Sequence, residues 1–584
     1  MRRVIMGIGA SVIVTSALWF YTKQKQVPRA APEKVLVTVS NAQIKGLDPI
    51  QGTDVYIVRE IAKVCEGLLE YHYLKRPYEL VPNLAAAMPT VSDDQLVYTF
   101  KLLEGVKFHD NPCFPDGQGR ELTAQDFVYT FKRLADPKNQ AQNFWLIDEK
   151  IQGLNEWREK YIDAPAADYV ENISGLQAID RYTIQFRLTK PDPRFLHILA
   201  MAPSYVVAQE AVEHYGAEFV NHPVGTGPFT LEAFHPQEAK IIYHKNPNFR
   251  DKHFPSEAAD EYKHMIAYAG KKLPLVDKIV THILPEEQPR WLKFRKGQID
   301  ILDISGDNIA IEIIDNGVLI PAIRESGIAL FTVPAVSTGY FVINNANPLF
   351  NNNKKLRQAM SMAFDRDRYN QLFHKGTAAL AQSTVPPGLA GYQANYVNPY
   401  CVYDIERAKQ YLAEAGYPDG QGLPIITLDT VANTNQKQRA EFFQQCMKAI
   451  GINISIETNT WPELIRKKQK KATMLHAIAW NADYPDAESF FQLFYAPSQP
   501  TGLGMHFNDD AFNILYEKAI AMPDSPERTA LYEQLNQLVG ESVPMIYMVH
   551  TLHFFLHQSW VKNYCWSDFH YGTEQYCDVD RSKR

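Results

Sequence analysis

The chain has 584 residues, 46% hydrophobic, 12% aromatic and 21% charged, a balance that excludes a disordered or fibrous protein. Lys+Arg 59 against Asp+Glu 66 leaves a net charge of -7, so no nucleic acid is held by bulk charge. Single cores stop growing near about 250 to 300 residues, so the length points to several domain-sized units.

Arg2 and Arg3 precede Val4 to Thr22, an uncharged run of 19 residues with the length of a membrane span and the layout of an export signal. Lys23, Lys25 and Arg29 stand between this run and Ala30-Ala31, so a cleaved signal and an uncleaved anchor both remain open. No cysteine occurs before Cys65, which excludes a lipoprotein anchor at the end of the signal. Val35, Val37 and Val39 alternate as in a half-buried strand, and Ile57, Val58, Ile61, Val64 and Leu68 recur at helical spacing. Two stretches, Asn139 to Asn172 and Arg250 to Lys272, read as polar insertions. Tyr182, Ile184, Phe186 and Leu188 predict another strand with one wet face. Ser326 to Asn353 is free of charge but holds Pro334, Asn344, Asn345 and Pro348, which read as strand and loop and not as a span.

The second half predicts a helix capped by Asp404 and ended by Gly416 and Pro418. It continues with a strand from Ile425 to Val431, a helix from Gln436 to Ile450 and a strand carrying Ile452, Ile454 and Ile456. This alternation predicts an α/β fold with a mostly parallel sheet there. The basic run Arg466 to Lys471 reads as the solvated end of a helix starting near Thr460.

Chemistry-bearing signals are sparse. No G-x-S-x-G, H-E-x-x-H or P-loop pattern occurs, and the six cysteines show no zinc-ligand rhythm. Cys565 and Cys577 are the one pair close enough in sequence to suggest a bridge, with buried thiols as the alternative. His553 and His557 fall on a buried strand pattern without a third ligand nearby, so they read as packing or surface histidines. No metal site and no cofactor are expected. One segment differs from the rest. WNADYPDAESFF, Trp480 to Phe491, follows the apolar strand Met474 to Trp480, which puts Asp483 at a strand end, where α/β sheets face a ligand crevice. A buried carboxylate is costly unless a cation completes it, so either the cation arrives with a ligand or Asp483 is a turn or cap residue.

Several further segments carry a resemblance. Leu47-Asp48-Pro49, Glu66-Gly67-Leu68-Leu69, YTFKLLEGVKFHDN with LTAQDFVYTFKRL, VGTGPF at Val224 to Phe229, KNPNF, KLRQAMSMAFDRD, YDIERAKQYLAEAGYPDG and WNADYPDAESF follow one another from about Val35 to Tyr564. In order and spacing the chain resembles the peptide- and nickel-type solute-binding proteins of ATP-binding-cassette importers, which include oligopeptide- and dipeptide-binding proteins. The resemblance implies a two-lobed periplasmic-binding-protein-like α/β fold with an extra domain. On this sequence lobe I spans 35–70, 188–333 and 542–584, the extra domain 71–187 and lobe II 334–541, behind an N-terminal signal or anchor at 1–34. It implies a binding protein and not an enzyme: a monomer in the periplasm, attached to the inner membrane if the first segment is uncleaved, which closes on short peptides and delivers them to an inner-membrane ABC permease. Asp483 matches the residue that holds the ligand's α-ammonium in peptide-binding relatives. Backbone groups of Ala479 and Asn481 match the strand that pairs with extended ligand, beside Trp480 and Tyr484, while Val55 and Thr226 match ligand-facing segments of the first lobe. Nickel chelates, haem and oligosaccharides are the alternative cargoes of the same fold, and a membrane-anchored hydrolase or sensor is a more distant alternative. The cysteine that some relatives carry after the tryptophan is Asn481 here, so that bridge cannot form.

Overall fold

The computed structural model describes residues 33–580 and 582, except 53, 236–238, 306–307, 316, 433 and 499–504. The expected N-terminal span at 4–22 lies outside the described residues. Among those that are described, no helix is long and apolar enough to cross a membrane.

Four larger sheets organise the described residues. In the first lobe, Val35–Ser40 pairs in parallel with Lys278–Ile283, and Lys240–Lys245 and Phe229–His235 complete a four-stranded sheet. A three-stranded sheet in the order Ile301–Asp303, Leu552–Gln558, Ile328–Pro334 lies in the same half. The extra region forms an antiparallel sheet of Thr90–Val91, Val97–Lys101, Thr183–Arg187 and Leu176–Asp180, covered by the helix Ala124–Ala135. The second lobe is built on five strands in the order Ile454–Asn459, Ile426–Val431, Leu475–Asn481, Ser337–Ile343, Met545–Tyr547. Its core includes Phe341, Leu356, Phe364, Leu412, Leu428, Phe443 and Ile546, all buried.

The second-lobe sheet is mixed and not mostly parallel. Ile426–Val431 runs parallel to both Ile454–Asn459 and Leu475–Asn481, but Ser337–Ile343 is antiparallel to both of its neighbours. The reason is connectivity: Ser337–Ile343 and Met545–Tyr547 are joined to the first lobe by the crossing segments, and no crossover helix imposes a parallel direction on them. Met545–Tyr547 also lies beyond the expected boundary at 542 yet hydrogen-bonds into this sheet, which moves the return crossing to the residues after Tyr547.

Local signals act largely as read. Asp404 accepts a hydrogen bond from Arg407 N at 2.9 Å and starts the helix Ile405–Glu414. Thr460 and Glu463 form a capping box at the start of Trp461–Gln469. There the basic run is not wholly solvated: Lys467 bridges Asp429 and Glu457, both at 2.7 Å, and Lys468 is buried near Trp461. The first helix is shorter than its periodicity suggests, ending at Ile61. Val64 O accepts from Gly227 N at 2.8 Å, and a Cβ on Gly225 would stand 2.2 Å from that oxygen, so this strand-like packing replaces further helical turns. All six cysteines are free thiols, so Cys565 and Cys577 follow the buried-thiol reading.

Candidate functional site

The two crossings lie side by side. Ala335 N donates to Thr551 O at 3.0 Å, and Ser337 Oγ and Thr551 Oγ1 are 3.1 Å apart. Ala482 N donates to Val336 O at 3.0 Å, which fixes the end of strand Leu475–Asn481, and therefore Asp483, against the crossing. That strand is paired along its full length with Ser337–Ile343 but touches Ile426–Val431 only through Leu475 and His476. From 477 to 481 no described strand pairs with its other edge, the arrangement needed for an extended ligand to add as a strand. Ala479 and Asn481 are exposed there, and Trp480 is half-buried with its indole N–H left without a partner.

Asp483 is half-buried and its backbone N–H donates to Ser489 Oγ at 3.0 Å. Among the described residues no cation and no hydrogen-bond donor meets its carboxylate. Burial, and then the charge of Glu488, push its carboxyl up to about 7. Burial first, with Asp483 among the acids that add to it, raises the hydroxyl of Tyr571 from the C-terminal part of the chain. An acid raised in this way is stabilised by any cation that enters with a ligand.

Its neighbours are fully committed. Tyr484 is buried, donates its hydroxyl to Glu488 and stacks on His197 at 5.5 Å. Asp486 pairs with Arg528 at 2.7 Å and accepts from Tyr532 at 2.7 Å. The Trp480–Phe491 segment thus carries three acids after the strand, and only Asp483 lacks a partner.

A second chamber borders the same crossing. A cavity of about 260 Å³ is walled by Phe373, His374 and Arg439 from the second lobe and by Leu552, His553 and Phe554 from the first. Arg439 bonds Asn435 Oδ1 at 2.7 Å, Tyr369 and His374, and no carboxylate among the described residues. A lone arginine on a polar helix has no distinguishing pattern in the sequence; its fold environment is what leaves it without an acid among the described residues. His553 pairs with Asp568 at 2.9 Å, and no cluster of three or more His, Cys, Asp or Glu suited to a metal occurs among the described residues.

The remaining expected residues separate. Val55 opens the helix Val55–Ile61, whose Arg59 lies over Trp566 at 3.8 Å on the Tyr571 side of the cleft. Thr226 is turned inward in this structure. It is 2% exposed and its hydroxyl donates to Glu66 at 3.0 Å, while Arg250 holds the same carboxylate at 2.6 Å. The VGTGPF segment is a packing device in which two glycines abut the backbone of residues 63–65.

Two lobes joined by paired crossings, with an uncompensated acid and an open strand edge between them, define a protein that closes on a solute. The chain belongs to the bacterial extracellular solute-binding proteins of family 5, whose model matches residues 79–502. It is 28% identical to the dipeptide-binding protein of Escherichia coli over 83% of this chain and 84% of that one. It is 27% identical to heme-binding protein A of Haemophilus influenzae over 89% and 87%. Among solved structures it is similar to the periplasmic binding protein DppA of Helicobacter pylori in complex with the peptide STSA, with TM-score 0.70 and 25% identity, covering 94% of this chain and 99% of that one. The unliganded open form of the murein tripeptide-binding protein MppA matches with TM-score 0.72 and 21% identity over 95% and 99%.

Proposed function

We propose that this protein is the extracytoplasmic solute-binding component of an ABC importer that captures short peptides and delivers them to an inner-membrane permease. The observation that carries the reading is the Asp483 carboxylate, set at an open strand edge without a cation of its own. A peptide's α-ammonium supplies that cation, and its extended backbone pairs with Ala479 and Asn481. Arg439 is suited to an anionic group farther along the cargo. The binding role calls for no catalysis, and the protein acts as a monomer, exported by its first segment whether or not that segment is then removed. We assign lobe I to 35–70, 188–333 and the chain from about 548, the extra domain to 71–187, and lobe II to 334 to about 547. Haem is the weaker alternative: its propionates are anionic at neutral pH and would bring no charge partner to Asp483.

Replacing Asp483 with alanine removes the ammonium partner and is expected to weaken peptide binding by about 2–5 kcal/mol. Calorimetry with a defined dipeptide and tripeptide panel measures it. Equal affinity of the Asp483→Ala variant and the parent overturns the assignment.

A further inference from the structure

Glu488 begins the helix Glu488–Phe491, five residues beyond Asp483, and is 1% exposed. A buried carboxylate at this depth needs compensation. Two partners come from its own lobe, the hydroxyls of Tyr484 and Tyr516. The charged partner comes from the other side of the cleft: Arg194 Nη1 lies 2.5 Å from Glu488 Oε1. Arg194 is itself aimed by Asp192, which its Nε meets at 2.7 Å and whose other oxygen is bonded by Lys150 of the extra region at 2.7 Å. Beside this pair, His197 stacks on Tyr484 and bonds Tyr71 at 2.9 Å, a second contact between lobes. The remaining charged groups packed here are Asp486 and Asp524, which share Arg528 on the second lobe and leave one negative charge uncompensated, with the Asp524 end of the group exposed.

We infer that Arg194 is a positioning residue that latches the closed lobes through Glu488 and couples closure to the charge of Asp483. The argument is electrostatic. Glu488 opposes ionisation of Asp483, and it is opposed in turn by Arg194 only while the lobes are together. Opening withdraws the guanidinium, leaves Glu488 without its cation and strengthens the repulsion that Asp483 feels. Closure therefore makes Asp483 a better partner for a cationic cargo, and the cargo's cation favours closure in return, as linkage requires. The coupling, though not the latch itself, rests on the reading of Asp483 given above.

Two measurements on the full chain test it. In small-angle scattering without ligand, Arg194→Met is expected to enlarge the radius of gyration relative to the parent, and Arg194→Lys to restore it in part; an unchanged radius in Arg194→Met overturns the latch. In calorimetry with a dipeptide from pH 5 to 8, the inflection in affinity is expected to move upward by about one pH unit in Arg194→Met, a loss of about fivefold at pH 7. The Arg194→Met/Glu488→Gln double variant is expected to return it to the parent position or below. A purely structural role predicts equal loss at every pH and no return in the double variant, and that outcome overturns the coupling. If the parent itself shows no inflection, the Asp483 reading and the coupling fall together, while the scattering comparison still decides the latch.

Discussion

At the scale of residues, several buried acids are held in ion pairs, and Asp483 is not. Asp48 is held by both nitrogens of the Arg133 fork at 2.7 and 2.5 Å, and Asp192 is held at about 2 because Arg194 and Lys150 outweigh the burial that would raise it. Asp483 lacks such partners, and that has a stability consequence with a definite sign. The unfolded chain loses this proton above about pH 4, whereas the folded chain keeps it to about 7, so the fold binds the extra proton between those values and loses stability as the pH rises through them. The difference amounts to up to about 4 kcal/mol at neutral pH. Asp483→Asn is therefore expected to melt higher than the ligand-free parent at pH 7.5 and to match it near pH 4, as measured by calorimetric melting of both proteins across that range. Thr226→Val provides a contrasting case. It removes one bond to Glu66 while Arg250 remains, so it is expected to cost about 1 kcal/mol in chemical denaturation with peptide affinity unchanged; a loss of affinity would return Thr226 to the ligand-facing set.

At the scale of elements, sequence signals that act within one or two turns were legible and those that act between elements were not. Asp404 and the Thr460 box start their helices where their spacing says, and the alternation at Val35–Val39 and Thr183–Arg187 produces strands. The helix after Val55 is the instructive miss. Apolar residues continue at helical spacing to Leu68, but the backbone at 63–65 is taken by the glycine turn 225–227, which lies far away in sequence. Gly225→Ala pushes a methyl group into Val64 O and is expected to destabilise the first lobe by about 1–3 kcal/mol or more, read as a lowered denaturation midpoint. The parallel-sheet expectation holds for the strands from Ile426 to Asn481 and fails at the rest of the sheet for a related reason. Alternating strand and helix signals describe the connection between neighbours in sequence, whereas Ser337–Ile343 and Met545–Tyr547 take their direction from the crossings between lobes.

At the scale of the whole molecule, the extra region is fastened to the first lobe through ion pairs buried at the seam, Arg133 with Asp48 and Lys150 with Asp192. The Leu47-Asp48-Pro49 marker thus has a structural cause: Asp48 both starts the turn Pro49–Gln51 and receives the guanidinium of the neighbouring region. Arg133→Met leaves Asp48 buried without its partner and is expected to cost about 3–5 kcal/mol, measured by chemical denaturation of the intact chain. A small loss would mean that water or movement at the seam relieves the charge. What the sequence by itself determined was the family, from ordered markers that are mostly packing devices, and the one acid at a strand end whose charge invited a ligand. Only the tertiary structure decided that Asp483 is without a cation while Asp486 and Glu488 are neutralised, that Thr226 is spent on Glu66, and that Arg194 reaches across the cleft. The physical reason is that a charge's partner is set by which distant segments fold against it, and spacing along the chain does not encode that distance.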